Sequence, residues 1–524
     1  MSGNLFDLIR SRMPSADKTL IETASGERIS YGDMLARSGQ IAQALVRRGV
    51  RPGDRVAVQV EKTPENLMLL LATLRAGAVY LPLNTAYTIV ELDYFISDAE
   101  PKLVVCDPAR RDGVLPIAQA HSAAVDTLDA HGQGSLIDLA RQSPAAFDDV
   151  ARTDSDIAVI LYTSGTTGRS KGAMLTHRNL SSNAQVLADY WRFTPQDVLL
   201  HGLPIYHTHG LFTAAVTSMV AGGTMLFLAK FDPDEVIRLL PRATTMMGVP
   251  THYTRLLQHP GLTRELCAHM RLFTSGSAPL LAETHREFWA RTGHAILERY
   301  GMTETGMNTS NPYDGERIPG TVGFPLPGVE LRVADAETGR ALAQEEIGVI
   351  EVRGPNVFAG YWRMPEKTKS EFRPDGFFIT GDVGKIDARG YVHIVGRAKD
   401  LIISGGFNVY PKEVEGEIDA LPGVVESAVV GCPHPDFGEG VTAVVVAEAG
   451  AGLTEAAVLA ALEERLAKFK RPKRVLFVTD LPRNTMGKVQ KNVLREQHKD
   501  LYAGAAQAAH TGLWPDKKKK KSRR

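Results

Sequence analysis

Short apolar, strand-like runs alternate with stretches of helical apolar spacing along most of this 524-residue chain, and that alternation narrows its fold more than any other feature. Residues 55–60, 102–105, 157–161, 198–203, 224–228, 245–249 and 271–274 read as short strands. Residues 34–50, 66–76, 177–190 and 233–240 place apolar side chains at helical intervals. Such an order predicts α/β architecture with largely parallel sheets, because parallel strands need long crossovers and helices supply them. The length exceeds that of one ordinary domain.

The texture changes after about residue 320. Glycines at 323, 328, 348, 354, 381, 384 and 390 punctuate short strands and predict a smaller antiparallel β region. An α+β pattern then follows: a helix over 411–421, strands over 424–430 and 442–447, a helix over 455–469 and a strand over 475–479. The expected organisation is a large N-terminal domain, 1–398, of α/β subdomains plus a small β region. A smaller α+β C-terminal domain, 399–505, and a disordered basic tail, 506–524, complete it.

Composition excludes several classes. Apolar residues make up 44% and charged residues 23%, as in ordinary globular proteins. No run of eighteen apolar residues predicts a membrane span, and the N-terminus lacks a signal-peptide core. Cys106, Cys267 and Cys432 are widely separated, which argues against a disulfide framework or a zinc site and fits a reducing cytoplasm. Seven of the 60 basic residues fall in the last eight positions, leaving 53 against 60 acidic ones elsewhere. No aromatic residue interleaves those lysines, so the tail reads as a solvated end and not as a nucleic-acid surface.

The loop from Tyr162 to Gly172 (YTSGTTGRSKG) directly follows a strand-like run. Its glycines let backbone N–H groups approach an anion, its hydroxyls donate hydrogen bonds, and its two cations neutralise charge. That chemistry suits a polyphosphate. It is not a P-loop, because Ser170 stands where the second glycine is required. A lone loop of this composition is more often a surface turn, so its weight depends on partners downstream.

Those partners exist. Leu203–Gly210 (LPIYHTHG), Ser275–Pro279 (SGSAP), Arg299–Thr305 (RYGMTET), Thr380–Asp382 (TGD), Gly396-Arg397, Gly405–Pro411 (GGFNVYP) and Pro482–Lys488 (PRNTMGK) follow in order. Together with the loop, they resemble the acyl-adenylate-forming superfamily of acyl-CoA synthetases, adenylation domains and firefly-type luciferases, over about residues 25–500. The resemblance implies two steps. A carboxylate displaces pyrophosphate from ATP to give an acyl-AMP, and a thiol, usually that of CoA, then expels AMP.

The resemblance also implies roles. Thr163, Ser164, Gly165, Thr166, Thr167, Gly168 and Lys171 would hold the β- and γ-phosphates. Glu304 would ligate Mg²⁺, which favours oxygen donors and keeps most of its waters. Thr303 would touch the reacting phosphate. Tyr300 and Gly301 would face adenine on one side, and Ser277, Ala278 and Pro279 on the other. Asp382 and Arg397 would contact the ribose. Lys488 would bridge carboxylate and phosphate as the catalytic cation. It is also a candidate target for a lysine acetyltransferase and deacetylase, since acetylation removes the charge. Lys399 would be the hinge of a mobile C-terminal domain, bringing Gly405, Gly406 and Phe407 to the CoA tunnel.

Arg299 bears most on the acid. A cation beside the acyl pocket suits a substrate with a second carboxylate, and His207 and Ser277 could add donors. The plainer reading of Arg299 is a structural ion pair. The stretches LPIYHTHGLF, RLFTSGSAPL, ERYGMTETGMNTSNPYDGERIPG and LPRNTMGKVQKNVLRE closely resemble bacterial malonyl-CoA synthetases. Malonate, ATP and CoA are therefore the expected substrates, with methylmalonate harder to discriminate. A short-chain monocarboxylate acyl-CoA synthetase and a carrier-protein-loading adenylation enzyme are the alternatives.

Overall fold

The computed structural model describes residues 3–163, 170–404, 407–435, 437–484 and 487–503. The expected disordered tail lies outside them. The chain divides into two compact units. The first runs to Thr380 and includes Lys385–His393; the second takes Gly381–Gly384 and the described residues from Ile394 onward. Lys399 falls inside the second unit.

The first unit contains two large sheets. One has the order Gly360–Tyr361, Lys171–Thr176, Ile157–Thr163, Val79–Pro82, Arg55–Gln59, Leu103–Cys106 and Ala124–Thr127. It is parallel from Ile157–Thr163 to Ala124–Thr127 and antiparallel at the other edge. The parallel strands read as unbroken apolar runs because both faces are covered; Leu81, Val104 and Ile160 pack with Phe95 and Ile96. The antiparallel edge sets Thr163 opposite Lys171, so the two ends of the Gly/Thr loop start side by side.

The second sheet is parallel through its middle strands, Thr19–Thr23, Thr224–Phe227, Val198–His201, Thr245–Gly248, Leu272–Ser275 and Leu297–Met302. Antiparallel pairing at one end adds Gly306–Ser310 and Phe324–Pro325. Helix ends follow local chemistry. The helix His177–Tyr190 begins in a reciprocal capping box between Thr176 and Asn179. The Asn179 amide also donates to the carbonyls of Pro355 and Val357, both at 2.8 Å. Glu330–Ala334 and Gly348–Arg353 pair antiparallel in the smaller β region.

In the second unit, Val424–His434 and Gly438–Ala447 form a long antiparallel pair, with Arg474–Val478 parallel to the latter. The helix expected over 455–469 stops at Ala461. Beyond that end, Arg471 donates from Nε to the Leu466 carbonyl and from Nη2 to that of Glu463. Leu462 and Leu466 still reach the core, which explains the helical spacing of the segment. Cys106, Cys267 and Cys432 are buried thiols, and no described helix is long and apolar enough to cross a membrane.

Candidate active site

Two neighbouring parallel strands carry the Arg299 region. Leu272–Ser275 and Leu297–Met302 pair Ser275 with Glu298, so the turn after Ser275 meets Arg299. That turn holds Ser277 at a φ of +69°, in the left-handed region, and its Oγ lies 3.1 Å from His209 Nδ1. His209 opens a π-helical segment, His209–Val216. His207 is half-buried beside it, and its Nδ1 accepts the His209 N–H at 3.3 Å.

Arg299 is 4% exposed, and its Nε and Nη2 have no hydrogen-bond partner. No carboxylate among the described residues pairs with it. Burial pulls its guanidinium down to about 10, with Tyr253 opposing. His209 Nε2, Thr208 Oγ1, Ser275 Oγ and His252 Nδ1 are also buried without partners. Native proteins satisfy nearly all such groups, so these orphans are candidate partners for water, an ion or a polar ligand. Burial, reinforced by the Arg299 charge, holds His209 far below its ordinary value and keeps it neutral.

A second cluster lies at the stems of the Gly/Thr loop. Ser164, Gly165, Thr166, Thr167 and Gly168 fall outside the described residues, but both stems are defined. Thr163 ends one strand and Lys171 begins the next. The Tyr94 hydroxyl donates to the Ser170 carbonyl at 2.6 Å. Lys171 Nζ lies 3.5 Å from Glu371 and 4.2 Å from the centroid of the Tyr361 ring. The Tyr361 hydroxyl lies 3.1 Å from Glu304 Oε1 and 2.9 Å from Glu371 Oε2. Burial and those two carboxylates push this phenol well above its usual range. Glu304 is buried in the turn between Leu297–Met302 and Gly306–Ser310. One buried carboxylate suits a cation that keeps most of its waters; no group of three acidic, His or Cys ligands occurs among the described residues.

Tyr300 and Gly301 lie on the same strand at a break in its register, and Thr303 follows in the turn. Ser277 and Ala278 are half-buried and Pro279 is exposed. Thus the first unit gathers Arg299, Ser277 and the missed His209, and links Lys171 to Glu304 through the missed Tyr361 and Glu371.

In the second unit, Arg397 Nε contacts Asp382 Oδ1 at 2.7 Å. Burial lowers Lys399, with Asp400 opposing and Arg397 and Arg495 assisting. Gly405 and Gly406 are outside the described residues; the exposed Phe407 stacks on Phe469 at 4.8 Å. Lys488 is exposed. Its backbone N–H donates to Asn484 Oδ1 at 3.0 Å, and its carbonyl accepts the Asn484 N–H at 2.9 Å.

The model of the AMP-binding enzyme family matches residues 10–362, and that of the AMP-binding enzyme C-terminal domain matches 413–488. ATP-bound MatB from Rhodopseudomonas palustris is 66% identical with a TM-score of 0.95, covering 96% of this chain and 100% of that one. The malonate–CoA ligase of Arabidopsis thaliana is 32% identical over 547 residues, 94% of this chain and 89% of that protein. A feruloyl-CoA synthase of Amycolatopsis sp is 36% identical over 477 residues, 90% of this chain and 94% of that protein. The chain belongs to the AMP-binding enzyme family.

Proposed function

We propose that this chain is a malonyl-CoA synthetase, converting ATP, malonate and CoA to AMP, diphosphate and malonyl-CoA through malonyl-AMP. The observation that carries the choice of acid is the buried guanidinium of Arg299, with Nε and Nη2 unpaired. A relative acting on malonate and one acting on ferulate have similar identities to this chain, so identity to such relatives does not choose the acid. The Arg299 fork supports a diacid. Its planar N–H groups match a carboxylate in two parallel, charge-assisted bonds.

The residues divide the work. Arg299 holds one malonate carboxylate, with Ser277 and neutral His209 at its flank, and leaves the other to react. Lys171 and the loop stems hold the ATP phosphates. Mg²⁺, when bound at Glu304, supplies charge neutralisation on those phosphates. Asp382 and Arg397 take the ribose. Lys488 offsets the repulsion between the attacking carboxylate and the phosphate, stabilising the charge that develops between them. A monoacid leaves the Arg299 cation stranded, at a cost of ~1–3 kcal/mol or more.

The test is CoA-dependent AMP release with MgATP, comparing malonate, methylmalonate, succinate, acetate and propionate. Malonate should lead acetate and propionate by about 10³-fold or more in kcat/KM, as for sites built around a polar group. Methylmalonate should fall closer, since one methyl is worth only ~1–3 kcal/mol. A preference for monoacids would overturn malonate while leaving the adenylate-forming chemistry intact.

A further inference from the structure

The hydroxyl of Tyr361 has one hydrogen to donate and two carboxylates within reach, Glu304 at 3.1 Å and Glu371 at 2.9 Å. These carboxylates differ in their other company. Glu371 also receives Lys171 at 3.5 Å and Lys367 at 2.5 Å. Glu304 lies on the turn that the family chemistry assigns to the metal. Several contacts hold Tyr361 in place. Tyr361 pairs with Ala173, on the strand that Lys171 begins, and the Trp362 N–H donates to the Gly172 carbonyl at 2.7 Å. The Tyr361 N–H donates to Thr368 Oγ1 at 2.8 Å, and its ring meets Phe358 edge-on at 4.8 Å. Only the hydroxyl hydrogen is free to choose between acceptors.

We infer that Tyr361 is a positioning residue that couples phosphate engagement by Lys171 to cation engagement by Glu304, by transferring its single hydrogen bond between Glu304 and Glu371. When a polyphosphate draws Lys171 away, Glu371 loses a cation and becomes the stronger acceptor. The hydroxyl then turns to Glu371 and gives up the position it held on Glu304. The reverse holds by linkage. A cation on Glu304 releases the hydroxyl to Glu371, which loosens Lys171 for phosphate. This rests on the reading of Lys171 and Glu304 as the phosphate-facing and metal-facing groups.

The experiment is calorimetric titration of the full-length protein with ATP, once in EDTA and once in excess Mg²⁺. The ratio of the two Kd values measures the coupling. Tyr361→Phe removes the hydroxyl and should shrink that ratio by about fivefold or more, within the range of site-to-site coupling energies. A ratio within about twofold of wild type would overturn the inference while the reading of the two groups stands. Wild-type protein that binds no ATP in either buffer would overturn both. Glu371→Gln keeps the shape and one acceptor but frees Lys171, and should tighten ATP binding in EDTA by about threefold or more. An unchanged or weaker Kd for that variant would also overturn the inference, independently of how Tyr361→Phe folds.

Discussion

The guanidinium of Arg299 packs against Gly276: a Cβ at position 276 would come 2.0 Å from Nη1 and 2.4 Å from Cζ. Glycine is required here by closeness and not by a special φ. Gly276→Ala should push the guanidinium off its position while leaving Lys171 and Glu304 undisturbed. We expect kcat/KM for malonate to fall about 10–100-fold, matching a displaced interaction worth ~1–3 kcal/mol. KM for ATP should stay near the wild-type value. Steady-state kinetics in each substrate separates the two, and equal losses in both would mean a general distortion of the turn.

The same guanidinium should reduce the stability of the ligand-free protein. A buried cation with unpaired N–H groups is a net cost that an apolar side chain of similar length avoids. Arg299→Met should therefore raise the thermal midpoint of the free protein by a few degrees, while abolishing the further rise that malonate gives the wild type. A lowered midpoint would show that Arg299 is a structural support and not a waiting ligand group.

Most of the fold was legible because its parallel strands are buried on both faces and so stand out as apolar runs; Ile157–Thr163 and Leu103–Cys106 are examples. The helix expected over 455–469 is shorter than its spacing suggests because Leu462 and Leu466 keep their apolar positions in the core beyond the helix end at Ala461. Short contiguous motifs singled out the candidate site residues in the sequence. The site was not legible where residues meet through sheet register. Tyr361 reaches Glu304 only because Gly360–Tyr361 pairs with the strand that Lys171 begins, and no spacing in the sequence reports that pairing. The local hint was Lys367 four residues before Glu371 on a short helix. His209 stood in a motif already singled out. Its neutrality comes from burial beside Arg299, which only the packed structure supplies.

Lys488→Ala should separate the half-reactions. The lysine is exposed, and its backbone is held by Asn484. Truncation should therefore leave the segment folded while removing the ammonium group. Adenylation, followed by malonate-dependent pyrophosphate release, should drop about 10²–10³-fold, the range for loss of one preorganised electrostatic contact. Thioester formation from preformed malonyl-AMP and CoA should change little. Near-normal adenylation would remove Lys488 from the first step.

Acid should unfold the protein earlier than its carboxylates alone would require. Burial pushes His177 down to about 4 and His252 to about 3, and holds His201 and His209 far below the ordinary value. Other contacts support the uncharged forms. His177 Nδ1 accepts the Leu5 N–H at 3.0 Å, and His252 stacks on Phe231 at 3.8 Å. In the unfolded chain these imidazoles titrate near ~6.5. Between pH ~6.5 and ~4 the unfolded state therefore binds protons that the folded state refuses, and stability falls as pH falls. Each such histidine contributes a slope on the order of 1 kcal/mol per pH unit over that window, and the contribution is fully present above it. Urea midpoints at pH 7, 6 and 5 should decline steadily. His177→Asn, which keeps an acceptor for the Leu5 N–H, should make the decline shallower by about one histidine's share. Midpoints that stay flat across this range would mean that the buried imidazoles take up protons in the folded state as readily as in the unfolded one.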